Sequence, residues 1–223
     1  MKLKTPVIIV NFKTYAKGTG READTLAQAC EKVAHETGKN IAIAIEEVDL
    51  HRVSSLVDIP VLSEHLDPIE PGPHTGHNLP QALKDNGAVG TLLNHSEDRF
   101  RIDKLNESID IAKDLGLFTV VCANDSETAE AVAAFSPDMI AVEPPELIGG
   151  DVSVSTAKPE VITDTIEKVK RIADIPVLCG AGVKTAEDVK IALHLGAQGI
   201  LIASGIVKAH NPEKALRELA DAL

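Results

Sequence analysis

Three side chains of different chemistry stand where apolar runs stop. Glu143 follows Met139-Ile140-Ala141-Val142, His95 lies just past Val89-Gly90-Thr91-Leu92-Leu93, and Lys13, with Asn11, ends the run Val7-Ile8-Ile9-Val10. Such aliphatic runs read as buried strands, so each polar residue is delivered at a strand end. Singly, each has a plain explanation: an acid pointing into water, a solvated lysine, a helix-capping histidine. Together they suit proton transfer beside a carbonyl. That chemistry needs a base to remove a carbon-bound proton, a hydrogen-bond donor for the enediolate oxygen, and a fixed cation to offset the developing charge. Glu143 is the candidate base, His95 the donor, Lys13 the cation, and Asn11 orients the same oxygens. His95 precedes Ser96-Glu97 and a helical stretch, which places it near a helix N-terminus, where the local field favours the neutral imidazole. After Glu143 come Pro144-Pro145-Glu146-Leu147-Ile148-Gly149-Gly150. Two prolines restrict one end and two glycines free the other, as in a lid with two hinges.

The elements that must position these groups alternate along the chain. Strands are expected at Val7–Val10, Ile41–Ile45, Ile59–Ser63, Val89–Leu93, Phe118–Val121, Met139–Val142, Pro176–Cys179 and Gly199–Ile202, with helical stretches between them and Pro212–Leu223 as the last. Eight βα units predict a single α/β domain over residues 1–223, a (β/α)₈ barrel with parallel strands and right-handed crossovers. No G-x-G-x-x-G fingerprint follows the first strand, which counts against a dinucleotide fold. In a barrel the strand C-termini share one face, so Asn11, Lys13, His95 and Glu143 converge there. Three glycine-bearing loops reach the same face: Ile148-Gly149-Gly150, Cys179-Gly180-Ala181-Gly182 and Ala203-Ser204-Gly205. Backbone N–H groups in such turns cradle anions, and barrels commonly hold phosphate after strands seven and eight. The segment from Glu64 to Pro80, rich in Pro, Gly and His, is longer than a mere connection needs.

Composition narrows the partners. A net charge of −12 disfavours nucleic acid and anionic membrane surfaces, which demand a basic patch. No stretch approaches the ~20 apolar residues that span a bilayer, and the first strand begins too soon for a secretory signal. Cys30, Cys122 and Cys179 are odd in number and widely spaced, so a reducing, cytoplasmic setting is expected. Aromatic residues make up only 2%, leaving a core of branched aliphatics of the kind that parallel strands favour.

Six ordered pieces carry a resemblance that runs the length of the chain: Asn11-Phe12-Lys13, Thr75-Gly76, Asn94-His95-Ser96-Glu97, Ala141 to Gly149, Cys179-Gly180-Ala181-Gly182 and Leu201 to Gly205. The sequence resembles the triosephosphate isomerases of the short, archaeal type. The resemblance implies interconversion of D-glyceraldehyde 3-phosphate and dihydroxyacetone phosphate with no cofactor and no metal. It makes Glu143 the proton shuttle and His95 the carbonyl polariser; that pairing of a glutamate base with a neutral histidine is the family's own. Asn11 and Lys13 bind substrate, while Ile148, Gly182, Ala203 and Ser204 hold phosphate mainly through backbone N–H groups. Glu97 positions Lys13, the lid excludes water from the enediolate, and Thr75 belongs to a loop that enters a neighbouring subunit of a tetramer or a dimer.

The chain departs from its relatives at several points. Gly182 stands where longer members have serine, the lid carries no tryptophan, and Glu46 and Glu64 replace glutamines near the mouth. Other classes compete. His74 and His77 suggest a metal hydrolase, although they lack the spacing of H-E-x-x-H. A silent phosphate-binding barrel or a sugar-phosphate epimerase would share the fold.

Overall fold

Strands buried on both faces must be aliphatic at nearly every position, and here each of the eight runs is buried along its whole length save Asn40 at one end. A computed structural model describes residues 3–144 and 153–223. Its strands are β1 (Val7–Asn11), β2 (Asn40–Ile45), β3 (Val61–Ser63), β4 (Gly90–Leu93), β5 (Phe118–Ala123), β6 (Met139–Val142), β7 (Val177–Cys179) and β8 (Gly199–Ile202). They pair in parallel in chain order, and β8 closes on β1, so the expected (β/α)₈ barrel is formed.

Alternation splits the core in two. Val7, Ile9, Ala42, Ala44, Leu62, Leu92, Val120, Ala141, Leu178 and Leu201 pack together inside the barrel. Their neighbours Ile8, Val10, Ile41, Ile43, Val121, Ile140, Val142 and Ile200 pack outward against helices. Small residues at 42, 44 and 141 set against Leu62, Leu92 and Leu201 fill the interior as interdigitating layers do.

The helices are α1 (Gly20–Thr37), α2 (Leu50–Ser54), α3 (Pro80–Asp85), α4 (Ile102–Asp114), α5 (Ser126–Ala133), α6 (Val154–Ala157), α7 (Pro159–Ile172), α8 (Ala186–His194), α9 (Ser204–Val207) and α10 (Pro212–Ala220). Local chemistry sets their ends. Gly38, at φ 67°, stops α1 and donates to Ala34; Thr185 and Asp188 form a capping box on α8; Asn211 caps α10 ahead of Pro212. Among the described residues no helix is long and apolar enough to cross a membrane.

Two readings change. The helices α6 and α9 are single turns, too short to leave a periodic apolar signal. β3 starts at Val61 and not at Ile59, because Pro60 has no N–H to give a ladder; its carbonyl still accepts from Ile43 at 3.0 Å. The long segment after β3 is pinched at its base. Asp67 and Asn78 exchange backbone and side-chain bonds of 3.0 and 2.6 Å, leaving residues 70–77 exposed.

The seam between β8 and β1 depends on one missing side chain. Gly199 has φ 145°, and a Cβ there would sit 2.1 Å from the carbonyl oxygen of Val7. Gly199→Ala is expected to lower unfolding free energy by about 2–4 kcal/mol in urea titration, as β8 is forced from its partner. An unchanged midpoint would refute this account of closure.

Candidate active site

The inward alternation does not stop where the strands do. Continuing it by one pair takes Ile9 to Asn11, Ala44 to Glu46, Leu62 to Glu64, Leu92 to Asn94, Ala141 to Glu143, Leu178 to Gly180 and Leu201 to Ala203. The layer above the apolar core is therefore polar or small. Two departures from the alternation bring in the other groups. Lys13 and Asn94 have positive φ, 49° and 58°, which turns the chain over the barrel mouth. The side-chain oxygen of Asn11 accepts the Lys13 N–H at 3.0 Å. Asn94 accepts from the Phe100 N–H at 3.1 Å and donates to the Cys122 carbonyl at 3.0 Å. Those bonds hold Lys13 and His95 over the mouth.

Four of the sequence candidates meet there. His95 Nε2 lies 3.5 Å from Glu143 Oε2, and Lys13 Nζ lies 2.8 Å from Glu97 Oε1. The N–H of Glu97 donates to His95 Nδ1 at 3.2 Å, so Nδ1 is the acceptor and Nε2 carries the ring proton. At 3.5 Å the imidazole is too far to hydrogen-bond the carboxylate, and Glu143 Oε2 is buried without a partner.

Burial shifts both groups in the direction of neutrality. It raises the Glu143 carboxyl to about 7, against the Cys122 thiol and Lys13, which favour the anion; Glu97 adds to the rise. It lowers His95 to about 4, helped by Lys13 and Arg99 and opposed by Glu97. The expected cause for His95 is corrected here. Residues 95–98 form a turn closed by Asp98 N–H to His95 O at 2.9 Å, and α4 begins only at Ile102. The imidazole is kept neutral by desolvation and a nearby ammonium, not by a helix terminus.

Gly180 has a role that its place in a glycine-rich turn does not announce. A Cβ there would meet Glu143 Cγ at 2.3 Å, so only glycine leaves room for the carboxylate to lie over β7. Register makes them neighbours, since Val142 pairs with Cys179 immediately before them.

A narrow cleft opens above these groups, lined by Asn11, Lys13, His95 and Glu143 on one side and by Gly182, Ala203, Ser204 and Gly205 on the other. Gly182 has φ 70°, and Ala203 caps α9, whose first N–H groups have no intrahelical acceptor. Backbone donors so placed suit an oxyanion. Ile148 and the rest of the expected lid beyond Pro144 lie outside the described residues. Thr75 is exposed on the long loop and does not line the cleft. Among the described residues no group of three or more His, Cys, Asp or Glu could hold a metal ion; His77 instead faces Asp67 at 3.1 Å.

A second, wider cleft of about 450 Å³ adjoins the first, sharing Asn11, Lys13, Tyr15 and His95 and adding Glu46, Glu47, Glu64 and Glu97. The two carboxylates that distinguish this sequence thus stand at the mouth of the site.

Comparison with known proteins gives a consistent result. The family model described as triosephosphate isomerase matches residues 6–222. The chain is 50% identical over 216 residues to the triosephosphate isomerase of Methanothermobacter thermautotrophicus, covering 96% of this chain and 94% of that one. It is 51% identical over 214 residues to that of Methanocaldococcus jannaschii, covering 96% and 98%. With that of Methanobrevibacter smithii it shares 45% over 222 residues, covering 99% and 100%.

The electrostatics can be tested without turnover. A Glu143→Gln difference infrared titration should find the carboxylate signal half-developed near pH 7, and the His95 ring should stay neutral by nitrogen NMR down to about pH 4. A Glu143 midpoint near an exposed glutamate's ~4.3 would show that burial is not controlling the site.

Proposed function

Because the chain belongs to the triosephosphate isomerase family, we propose that its barrel mouth interconverts D-glyceraldehyde 3-phosphate and dihydroxyacetone phosphate, with Glu143, His95 and Lys13 as the catalytic groups. The observation that carries the assignment of roles is the 3.5 Å approach of a proton-bearing Nε2 to a buried carboxylate of opposite task. Glu143 removes a proton from the carbon beside the carbonyl and returns it to the neighbouring carbon. Its raised pKa makes it a stronger base than a solvated glutamate once ionised. His95, neutral, gives its Nε2 proton to the oxygen on which charge develops and regains one from the neighbouring hydroxyl, so the O–H proton passes between the oxygens as Glu143 carries the C–H proton between the carbons. Lys13, held by Glu97, adds a fixed positive charge to the enediolate. Asn11 steadies the Lys13 main chain and lines the cleft beside it.

The phosphate is assigned to the opposite wall, to the N–H groups of Gly182, Ala203 and Ser204. Gly182 offers no hydroxyl, so the backbone carries that contact. The segment 144–150 with Ile148 is proposed as the lid that excludes water and prevents loss of phosphate from the enediolate. No cofactor or metal enters this scheme. The buried free thiols of Cys30, Cys122 and Cys179 support a cytoplasmic setting.

The exposed tip 70–77, stiffened at its base by Asp67 and Asn78, supports a homo-oligomer in which Thr75 reaches the neighbouring subunit's site. Sedimentation velocity is expected to give a tetramer or a dimer at micromolar concentration; a monomer active at that concentration would overturn this.

In deuterated water, dihydroxyacetone phosphate should be converted to glyceraldehyde 3-phosphate labelled at C2. Glu143→Gln should lower kcat by roughly 10³-fold. The sign of the pH dependence follows from the base: it works ionised, so kcat/KM should fall about tenfold per unit below about pH 7, with no further break from His95 above about 4. Phosphate binding without turnover would favour the silent barrel instead.

A further inference from the structure

The wall of backbone donors carries one charged side chain to which the reaction as drawn gives no task. Gly182 and Val183 turn the chain after β7, and Lys184 follows them, exposed to solvent and still lining the narrow cleft. Its main chain is fixed. The Lys184 N–H donates to Asp188 Oδ2 at 3.1 Å, the oxygen that also accepts the Thr185 N–H at 2.9 Å and the Thr185 hydroxyl at 2.8 Å. One residue back, the Val183 carbonyl oxygen lies 3.4 Å from where a Cβ on Gly205 would stand. The lysine is therefore anchored where the loops after β7 and β8 meet.

A cation is a poor structural choice at this point. Lys184 immediately precedes Thr185, the cap of α8, where the field of the helix disfavours positive charge. The capping box needs no lysine side chain either, because Asp188 closes it on main-chain and hydroxyl donors. Facing a ligand, the same charge has a use. The phosphate donors assigned to this wall are neutral N–H groups, and Gly182 adds no hydroxyl. Among the described residues lining the narrow cleft, the cationic side chains are Lys13 and Lys184, and Lys13 stands on the catalytic side with Glu97 at 2.8 Å. Without Lys184, a dianion seated on the far wall would meet neutral donors alone. An ammonium need not be unpartnered for this duty, since Lys13 keeps Glu97 and still lines the cleft.

We propose that Lys184 is a substrate-binding residue: its ammonium adds a positive charge to the neutral donors of the β7 and β8 loops and so favours doubly charged phosphate esters. The inference rests on the isomerase reading and on the phosphate being seated on this wall.

The test compares the full chain with Lys184→Met and Lys190→Met on two substrates, glyceraldehyde 3-phosphate and glyceraldehyde, which has the same reacting carbons and no phosphate. Lys190 lies on α8 and lines neither cleft, so its replacement removes the same unit charge from outside the site. Lys184→Met should lower kcat/KM for the phosphate ester about tenfold, the scale of one charge-assisted contact, and weaken inhibition by glycerol 3-phosphate by a similar factor. Its kcat/KM for glyceraldehyde should stay within about twofold of the wild type, because the reacting end is untouched. Lys190→Met should stay within about twofold on both substrates. A Lys184→Met value for the phosphate ester within twofold of the wild type, an equal loss with glyceraldehyde, or an equal loss in Lys190→Met would overturn the role of Lys184. Absence of isomerisation by the wild type would overturn the isomerase reading instead.

Discussion

The site depends on a carboxylate kept out of water. Glu143 sits one alternation above Ala141, on top of an apolar column, with one oxygen that no donor reaches. Such a group is unstable as an anion, and in the proposed reaction that instability is its usefulness, because a desolvated carboxylate regains favourable interaction by taking a proton from carbon. The surroundings are arranged to keep the anion accessible without pairing it. Lys13 is near enough to act through space yet is bonded to Glu97, and His95 faces the carboxylate at a distance longer than a hydrogen bond. A direct Lys13–Glu143 ion pair would have pulled the carboxyl back toward an ordinary acid and lost its basicity.

Packing carries the same requirement outward. Glu143 can lie where it does because β7 offers Gly180, and β7 offers it there because Val142 and Cys179 are in register. The neutrality of His95 uses the same dry environment with the opposite charge sign. Burial that makes a carboxylate basic makes an imidazole acidic, so one apolar barrel top prepares both partners at once. The turn at residues 95–98 then selects the tautomer, by spending the Glu97 N–H on Nδ1.

Much of this was legible in the residues. Eight aliphatic runs broken by helical stretches made the barrel, and strand ends located Asn11, His95 and Glu143, because position along a strand is a matter of order and burial. What could not be read was anything set by contact across strands. Gly180 looks like every other turn glycine until its distance to Glu143 is known, and the single-turn helices α6 and α9 are too brief for periodicity to register. The helix N-terminus expected behind His95 failed for a related reason. Ser96-Glu97 opens no helix: the Asn94 side chain binds the Phe100 N–H and folds the segment into a loop ahead of α4, which starts at Ile102 as expected.

The distribution of charge explains how an acidic protein can accept a dianion. A net charge of −12 would repel such a substrate if it were spread evenly, but apart from Glu143 the carboxylates of this face gather after β2, β3 and β4, whereas the opposite wall after β7 and β8 presents backbone N–H groups at Gly182 and Ala203 to Gly205. Under the proposed assignment, a phosphate ester approaching the mouth is repelled on one side and met by donors on the other, so its orientation is set before any catalytic group engages. Lys13 lies between the two halves and lines both clefts. Its ammonium is held there by Glu97 at 2.8 Å, on the border between the acidic wall and the wall of backbone donors.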